Sequence, residues 1–436
     1  MKNRTVLFCI ALLFITIITA YIIRLYHFAQ ICHPWIIGDW LINYSGGFVR
    51  RGLCGELMIW LSDVFNIKVH FIVMLSQITI YLAMFVVFFL IIFRKKMTIW
   101  FLLLLLSPAT LLFSIYDNGA IGRKEIFLFL LFGLYILCLN KKKLKSYSFI
   151  FTFSFALMII TLFHEGIFFF TPYFIGVTYL KSRIDNEPLP LFKTIIVILG
   201  SFLAIIPLYL FGKEINGSEI CISLVEKGLP PSICNGALFF PGDFGIKDLL
   251  NYATTFNYFP SYFIALILGV IPFVLLIKFY KHPAINVKRF LLIFLLLFLF
   301  SVPLFVVALD WGRWLNIHFT MLMFTSTIFL KDNAINSSNN KQNDNLQIPV
   351  LWFSNNKMLK TLNNLVFFTI CFCYISFWSI KLCCSASLLS DNFNLSYLLP
   401  KLKNLWESLT HLFLTICDLV FYLIHLMICW IKGCPP

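Results

Sequence analysis

The chain has 436 residues, of which 60% are hydrophobic and only 12% are charged, and its mean hydropathy is +0.90. Soluble domains carry about 25% charged residues, so this composition excludes a soluble globular protein and predicts an all-α polytopic membrane protein. The net charge of +15 does not require a nucleic-acid partner, because basic loops between membrane spans explain most of it. No basic face with interleaved aromatic residues lies outside the apolar runs, and we expect no nucleic-acid binding.

Breaks in the hydropathy predict about twelve transmembrane helices, which we assign to a single transmembrane domain, residues 1–436. The first helix follows the short basic start "MKNR" and is expected to be retained, because no small-residue cleavage site is evident. The predicted helices lie near residues 5–27, 69–93, 97–115, 125–139, 147–164, 166–181, 194–212, 261–280, 290–309, 315–330, 362–382 and 411–431.

The distribution of charge predicts how these helices are oriented. With the N-terminus in the cytoplasm, the inside segments hold 21 of the 34 lysines and arginines but only 4 of the 19 acidic residues. Cytoplasmic loops are enriched in Lys and Arg, so we expect both termini to be cytoplasmic. The inside segments are then "MKNR", 94–96, 141–145, 181–193, 278–289, 331–360 and the C-terminus.

Two longer polar segments differ in character. Residues 213–260 form the largest predicted extracytoplasmic loop, in which Cys221 and Cys234 either form a disulfide or remain two thiols. The segment 331–360, which begins with an Asn-rich stretch, is predicted to be a flexible cytoplasmic loop. The 13 cysteines of the chain show no CxxC or Cys/His metal spacing, and we expect no metal site.

Four polar clusters are left unexplained by the positive-inside rule, and all four fall on the predicted outer side. They are Asp39 with Arg50 and Arg51, then "YDNGAIGRKE" (116–125), "FHEG" (163–166) and "DWGRW" (310–314). Because each lies between spans or at a helix end on the same side, we expect the four to form one site. In particular, Arg50 or Arg51 should face the same outer cavity as Glu165.

The basic residues of these clusters have two interpretations each. Arg50 and Arg51 lie between Gly46-Gly47 and Gly52, and either clamp a phosphate approached closely by the backbone or snorkel to lipid headgroups. Arg123 and Lys124 open a predicted helix, where cations oppose the helix dipole. They either bind a phosphate at that helix start or pair with Asp117 or Glu125.

Each of the remaining candidates is either a proton-transfer group of the site or an ordinary polar residue of a loop or helix end. His164 and Glu165 interrupt two apolar runs, so they act as a general base and its orienting group or form a solvated turn. No second His completes an HExxH motif. Asp310 and Arg313 either belong to the site or form an intrahelical pair at i,i+3 between belt tryptophans. His318 is interpreted as a packed core residue.

The pattern "NYSGGFVRRGLxGE", then "GRKE", "HE" and "DWGRW", resembles bacterial O-antigen polymerases of the Wzy type. The resemblance covers most of the chain as architecture and about thirty residues as motif. It implies a fold similar to the C-type glycosyltransferases and an enzyme of the Gram-negative inner membrane. At the periplasmic face this enzyme would transfer a glycan from undecaprenyl diphosphate to the non-reducing end of a lipid-linked repeat unit. The resemblance implies no metal and no cofactor.

The resemblance also assigns roles and partners. Arg50, Arg51, Arg123, Lys124 and Arg313 would bind the diphosphate, and Glu165, His164, Asp310 and Asp39 are unranked candidates for the base. The implied partners are the undecaprenyl-diphosphate-linked oligosaccharide, the bilayer and a chain-length regulator. One departure concerns the loop 213–260, which holds only lysines (Lys213, Lys227 and Lys247) where the class has an Arg-rich pattern.

Three other functions remain open from the sequence. A transferase that uses a polyprenyl-phosphate sugar shares the same expected chemistry. A lipid-linked oligosaccharide flippase or other transporter predicts charges in the middle of spans, whereas the charges here cluster at one face. A non-catalytic assembly partner gives no reason for the His-Glu pair and the arginines.

Overall fold

The computed structural model describes residues 3–141, 146–212, 216–238, 246–280, 285–332, 369–376 and 378–383. All of these residues belong to one compact unit, residues 1–386, and a second unit comprises residues 387–436. The predicted helix 411–431, most of the predicted loop 331–360 and part of the predicted helix 362–382 lie outside the described residues.

The described chain is helical throughout, as the sequence predicts. Its α-helices are α1 (Asn3–Gln30), α2 (Gly52–Phe65), α3 (Val69–Ile92), α4 (Ile99–Leu105), α5 (Phe113–Tyr116), α6 (Glu125–Asn140), α7 (Tyr147–Phe163), α8 (Pro172–Asp185), α9 (Leu191–Phe211), α10 (Gly217–Glu226), α11 (Ile246–Thr255), α12 (Tyr258–Tyr280), α13 (Val287–Val307) and α14 (Trp311–Ser326), and residues 369–376 are also helical. Within the described ranges, β structure is limited to isolated bridge residues, which include Val49 and the pair Lys95 and Asp332.

Several of these helices have the length and composition of membrane spans. Five of the described helices, α1, α3, α9, α12 and α13, are long and apolar enough to cross a bilayer. The apolar helices α6 and α7 are shorter, with 16 and 17 residues. The architecture is therefore that of an all-α polytopic membrane protein, and the total of about twelve spans stays a prediction.

The structure adds one helix to the predicted elements and changes two others. Helix α2 was not predicted, because its 14 residues include Glu56, Ser62 and Asp63 and give a weak hydropathy signal. The predicted helix 97–115 is broken after α4, since Pro108 cannot continue a helix. The predicted helix 166–181 begins as a 3-10 helix, Glu165–Phe170, and continues as α8 from Pro172, a residue suited to the first helical turn.

Helix α14 lies at the centre of the described bundle. All of its residues from Gly312 onward are buried except Asn316. His318 is fully buried and lies 2.8 Å from the Tyr173 hydroxyl of α8 and 2.7 Å from Oγ of Ser301 in α13. These contacts confirm His318 as a packed core residue that joins three helices.

The segment after α9 is folded rather than an open loop. It contains α10, a 3-10 helix Pro231–Cys234 and α11. Cys221 and Cys234 form a disulfide, which is the first of the two alternatives left open by the sequence. Residues 213–215 and 239–245 of this segment lie outside the described ranges.

Candidate functional site

The four polar clusters of the sequence meet in space, as predicted. We call the assembly the charged cluster, and it consists of Asp39, Arg51, Lys124, Glu125, His164, Glu165, Asp310 and Arg313. Five of these side chains are at most 5% exposed, namely Asp39, Lys124, Glu125, His164 and Arg313. All eight lie in loops or near the first residue of a helix, so the ends of several helices build the site.

The first half of the cluster is centred on Arg51. Its Nη2 and Nε atoms donate to Glu165, at 2.6 Å from Oε1 and 2.9 Å from Oε2, and its Nη1 donates to Oδ1 of Asp39 at 3.4 Å. Such a bidentate guanidinium–carboxylate pair fixes both side chains in position. The predicted proximity of Arg51 and Glu165 is therefore confirmed as a direct contact.

The backbone around Arg51 explains how this geometry arises. Arg51 precedes α2 in the left-handed conformation, with φ of 69°, which is unfavourable for a residue with a Cβ. The glycines after it allow close packing within the protein. A Cβ at Gly52 would lie 2.4 Å from the Tyr44 ring, and a Cβ at Gly55 would lie 2.0 Å from the carbonyl oxygen of Ile42. Packing against Tyr44 is thus a sufficient reason for glycine at position 52, and the approach of a ligand there stays a prediction.

Lys124 joins the first half from the start of α6. Its side chain is fully buried, and its Nζ lies 3.7 Å from Oδ2 of Asp39. Neither of these two atoms has a hydrogen-bond partner among the described residues. An ammonium group buried without hydrogen bonds is energetically unfavourable on its own. The N–H groups of Lys124 are therefore available to donate hydrogen bonds to a ligand.

The turn that carries Arg123 and Lys124 is fixed through Gly122. The carbonyl of Gly122 accepts from Nε1 of Trp40 at 2.5 Å and from Nε2 of Gln77 at 3.1 Å, and its N–H donates to the Tyr81 hydroxyl at 3.2 Å. Gly122 has a φ of +70°, and a Cβ there would lie 2.8 Å from Nε2 of Gln77. Only glycine suits this position, which sets the direction in which α6 begins.

The second half of the cluster is centred on Arg313. Its Nε and Nη2 both contact Oε1 of Glu125, and its Nη1 donates to Oδ2 of Asp310 at 3.0 Å. Nη2 also lies 2.7 Å from Nε2 of His164, which is in turn 3.5 Å from Oε1 of Glu125. The predicted i,i+3 pair of Asp310 and Arg313 is present, but Arg313 also contacts two other segments of the site, through Glu125 and His164.

The electrostatics of the loop residues favour ionised carboxylates and a neutral imidazole. Burial lowers the pKa of His164 to about 4, and the charges of Arg51 and Arg313 act in the same direction. Burial raises the pKa of Glu165, but the charge and hydrogen bonds of Arg51 outweigh it and hold this pKa well below its usual range. Lys124 and then Arg51 outweigh burial in the same way and lower the pKa of Asp39.

A cleft with an empty volume of about 460 Å³, adjoining solvent included, opens beside the second half. Its lining combines charged, aromatic and apolar side chains, among them Arg123, Glu125, Arg313, Asn316, Tyr21 and Tyr81. Nε of Arg123 donates to the carbonyl of Gly119 at 2.8 Å, and within the described ranges Arg123 has no ion pair. Burial and then the repulsion from Arg313 lower the pKa of Arg123, and an anion between the two guanidinium groups would relieve this repulsion.

The structure separates the predicted site residues into three groups. Asp39, Arg51, Lys124, His164, Glu165, Asp310 and Arg313 belong to the charged cluster. Arg123 lines the cleft beside it. Arg50 is exposed and makes no hydrogen bond or ion pair with the described residues, although its charge helps to lower the pKa of Glu165.

Glu125 was not among the predicted site residues. Sequence reasoning treated it only as a partner for Arg123 or Lys124, whereas it pairs with Arg313 and His164. The sequence feature that points to Glu125 as a site residue is its position, because it is a carboxylate at the start of an otherwise apolar helix. No group of three or more His, Cys, Asp or Glu in the described chain is arranged to hold a metal ion.

Comparisons with known proteins identify the family to which the chain belongs. A protein-family profile described as "Uncharacterised membrane protein Rv1490" matches residues 8–235. These residues include every member of the charged cluster except Asp310 and Arg313. Searches of curated proteins and of solved structures found no match. The profile covers more than half of this multi-pass membrane protein, which therefore belongs to the family of membrane proteins described as Rv1490.

Proposed function

We propose that this protein is a membrane glycosyltransferase of the O-antigen polymerase (Wzy) type, which transfers a glycan from undecaprenyl diphosphate to the non-reducing end of a lipid-linked repeat unit. The observation that carries the proposal is the charged cluster itself. Five of its ionisable groups are buried at the ends of apolar helices and three more are partly buried, an arrangement that is energetically unfavourable and is retained where it serves a function. Clusters of this kind are typical of functional sites in membrane proteins.

The balance of charge supports an anionic substrate. Together with Arg50 and Arg123, the cluster contains five cationic side chains against four carboxylates, with His164 neutral. Two of the cations can still bind an anion, since within the described residues Arg123 has no ion pair and Nζ of Lys124 has no hydrogen bond. A diphosphate carries several strong acceptor oxygens and would use both.

The proposed reaction needs stabilisation of a leaving group and removal of a proton. The acceptor hydroxyl forms a new bond to the anomeric carbon of the donor glycan, and the bond from that carbon to the diphosphate oxygen breaks. The diphosphate leaves with the electron pair, and fixed cationic side chains stabilise the charge that develops on it. In this proposal Arg51, Lys124, Arg123 and Arg313 take the role that a divalent cation has in other transferases.

We further propose that the site faces the periplasm and that the N-terminus and the C-terminus are cytoplasmic. In support, Glu125 begins α6, and the basic segment 141–145 follows the end of the same helix. The 16 residues of α6 separate them by about 24 Å. The charged cluster thus lies at the opposite end of this helix from the residues expected in the cytoplasm.

The test replaces Arg51, Arg123, Glu165 and Arg313 singly with Ala in the native bacterium, whose surface glycolipids are then separated on a gel. A polymerase defect leaves the lipid core with one repeat unit instead of a ladder. Lys227→Ala is the matched control, because it removes a cation from an exposed ion pair with Asp63, away from the cluster, and we expect it to keep the ladder.

Other outcomes of this experiment contradict the proposal. An unchanged ladder from all four variants at normal membrane abundance would overturn the site. A core without any repeat unit indicates a flippase or a ligase. A full ladder whose units each lack one sugar by mass spectrometry indicates the polyprenyl-phosphate-sugar transferase.

A further inference from the structure

The two carboxylate oxygens of Glu125 have different surroundings. Oε1 receives Nε and Nη2 of Arg313 and lies 3.5 Å from Nε2 of His164. Oε2 is buried and has no hydrogen-bond partner in the part of the chain that the structure describes. A buried carboxylate oxygen without a hydrogen bond is energetically unfavourable. A hydrogen-bond donor from outside the described residues would therefore stabilise Oε2.

Glu125 also lines the cleft beside the cluster, where a ligand could supply that donor. Apart from the space open to solvent, the cleft offers a volume of about 30 Å³ to water-sized groups, which is room for a single hydroxyl group of a ligand whose remainder lies outside. Its polar lining includes the hydroxyl groups of Tyr21 and Tyr81 and the amide of Asn316. Aromatic rings and hydrogen-bonding groups of this kind suit a sugar, which presents both apolar faces and hydroxyl groups.

Several other proton acceptors of the cluster are engaged by protein groups. Both oxygens of Glu165 accept from Arg51. Nδ1 of His164 accepts from the N–H of Gly166 at 3.0 Å, so a proton added there would break this contact. Oδ2 of Asp310 accepts from Arg313.

Among the described residues of the cluster, Asp39 also has a buried carboxylate oxygen without a hydrogen bond, and that oxygen lies 3.7 Å from Nζ of Lys124. Glu125 therefore differs from the rest of the cluster. It combines a carboxylate oxygen without a donor and a place in the cleft wall.

We propose that the cleft is the acceptor subsite and that Glu125 is a catalytic residue whose Oε2 binds the attacking sugar hydroxyl; this inference rests on the proposed function. As the hydroxyl oxygen bonds to the anomeric carbon of the donor, its proton passes to Oε2 of Glu125. The bond from that carbon to the diphosphate breaks, and the diphosphate leaves with the electron pair. Glu125 then releases the proton to solvent.

Arg313 and His164 are positioning residues in this scheme. Arg313 contacts Oε1 through both Nε and Nη2, which fixes the carboxylate and leaves Oε2 for the substrate, and Nε2 of His164 lies 2.7 Å from Nη2 of Arg313. Pairing with Arg313 also keeps Glu125 ionised at neutral pH, so the hydroxyl meets a proton acceptor that is already deprotonated. Its basicity is modest, which suits a reaction in which the proton leaves late, after the bond to the diphosphate has begun to break.

The test uses the full-length protein in lipid nanodiscs, with lipid-linked oligosaccharide extracted from a strain that lacks the gene. Chain extension is followed by mass spectrometry. Glu125→Gln keeps an oxygen for Arg313 but removes the proton acceptor. We expect kcat to fall by about 100-fold or more, in line with the loss of a general base, while KM changes by less than about threefold. Glu125→Asp should recover part of kcat, because it restores a carboxylate.

A second variant leaves the ion pairs intact and guards against a Glu125 variant that fails to fold. Ala120 lines the cleft without a polar side chain, and Ala120→Leu narrows it. We expect this variant to raise KM for the oligosaccharide at least fivefold, with an unchanged unfolding temperature. Wild-type protein that extends the oligosaccharide, together with full kcat in Glu125→Gln or an unchanged KM in Ala120→Leu, overturns the acceptor subsite and leaves the proposed function standing. Wild-type protein that extends no oligosaccharide overturns the proposed function itself.

Discussion

Nη2 of Arg51 lies 2.6 Å from Oε1 of Glu165, a residue 114 positions further along the chain. Arg51 holds this contact from a left-handed backbone conformation, with φ of 69°. Left-handed backbone is unfavourable by about 1–2 kcal/mol for a residue with a Cβ. The packing of α2 against the preceding segment fixes the backbone, and the ion pair fixes the side chain. Strain of this kind in a charged residue is typical of functional sites.

The strain and the ion pair at Arg51 can be separated by two substitutions. Arg51→Ala and Arg51→Gly both remove the guanidinium group from Glu165 and Asp39, so both should abolish glycan extension. Glycine also relieves the left-handed backbone, and we expect Arg51→Gly to be about 1 kcal/mol more stable than Arg51→Ala. Thermal unfolding in detergent measures the difference. Equal unfolding temperatures for the two variants would show that the backbone carries no strain there.

A second prediction concerns the turn that begins α6. Gly122→Ala should destabilise the protein in two ways, through its φ of +70° and through the contacts of the new Cβ with Gln77 and Ile36 at 2.8 and 2.9 Å. Gly228→Ala is a matched control, since Gly228 has a φ of +82° but no atom within 4 Å of an added Cβ. We expect a loss of about 1 kcal/mol for the control and roughly 2–4 kcal/mol for Gly122→Ala.

Thermal unfolding and glycan extension should both distinguish these two alanine variants. Because Gly122 sets the positions of Arg123 and Lys124, Gly122→Ala should also lower extension below the level of the Gly228→Ala control. Two alanine variants with the same stability and the same activity would contradict the role given to the hydrogen bonds that Gly122 forms with Trp40, Gln77 and Tyr81.

The convergence of the charged motifs was predictable because each lies at the same end of an apolar run. The positive-inside rule places those ends on one side of the membrane, and this argument needs no tertiary structure. The pairing of Glu125 with Arg313 was not predictable, since 188 residues separate them and their contact depends on how α6 packs against α14. The packing of Gly52 against the Tyr44 ring was not predictable for the same reason, because it depends on how the loop before α2 folds.

The stability of the protein should fall in mild acid because of His164. Its pKa lies near 4 in the folded protein, below the ordinary value of 6.5, so the unfolded chain binds more protons between these two values. The contribution of the neutral imidazole is fully present above pH 6.5 and is lost as the pH falls toward 4. It amounts to something on the order of 3 kcal/mol.

Unfolding temperatures between pH 7 and 4.5 check this prediction. His164→Asn is the control, because asparagine can still accept from the N–H of Gly166 but does not titrate. We expect a much shallower pH dependence for His164→Asn than for the wild-type protein over this range. The lowered pKa of Asp39 and of Glu165 adds a further loss of stability only at lower pH. The same slope in both proteins would exclude His164 as the titrating group.

Binding of a diphosphate should stabilise the folded protein through Arg123 and Lys124, the two cations that can still bind an anion. Farnesyl diphosphate is a short, soluble probe of this chemistry, and farnesol is the same chain without charge. At 100 times its Kd, a ligand that binds only the folded state stabilises it by about 2.7 kcal/mol. We therefore expect farnesyl diphosphate, but not farnesol, to raise the unfolding temperature of the wild-type protein by a few degrees.

The same measurement on variants assigns the shift to particular residues. Lys124→Met keeps the length and the apolar part of the side chain but removes the buried ammonium group, and Arg123→Ala removes the guanidinium group that has no ion pair among the described residues. Each should cut the shift by at least half, whereas Lys227→Ala should keep it in full. An equal shift from farnesol would assign the stabilisation to the apolar chain, and a full shift in both Lys124→Met and Arg123→Ala would place the anion elsewhere on the protein.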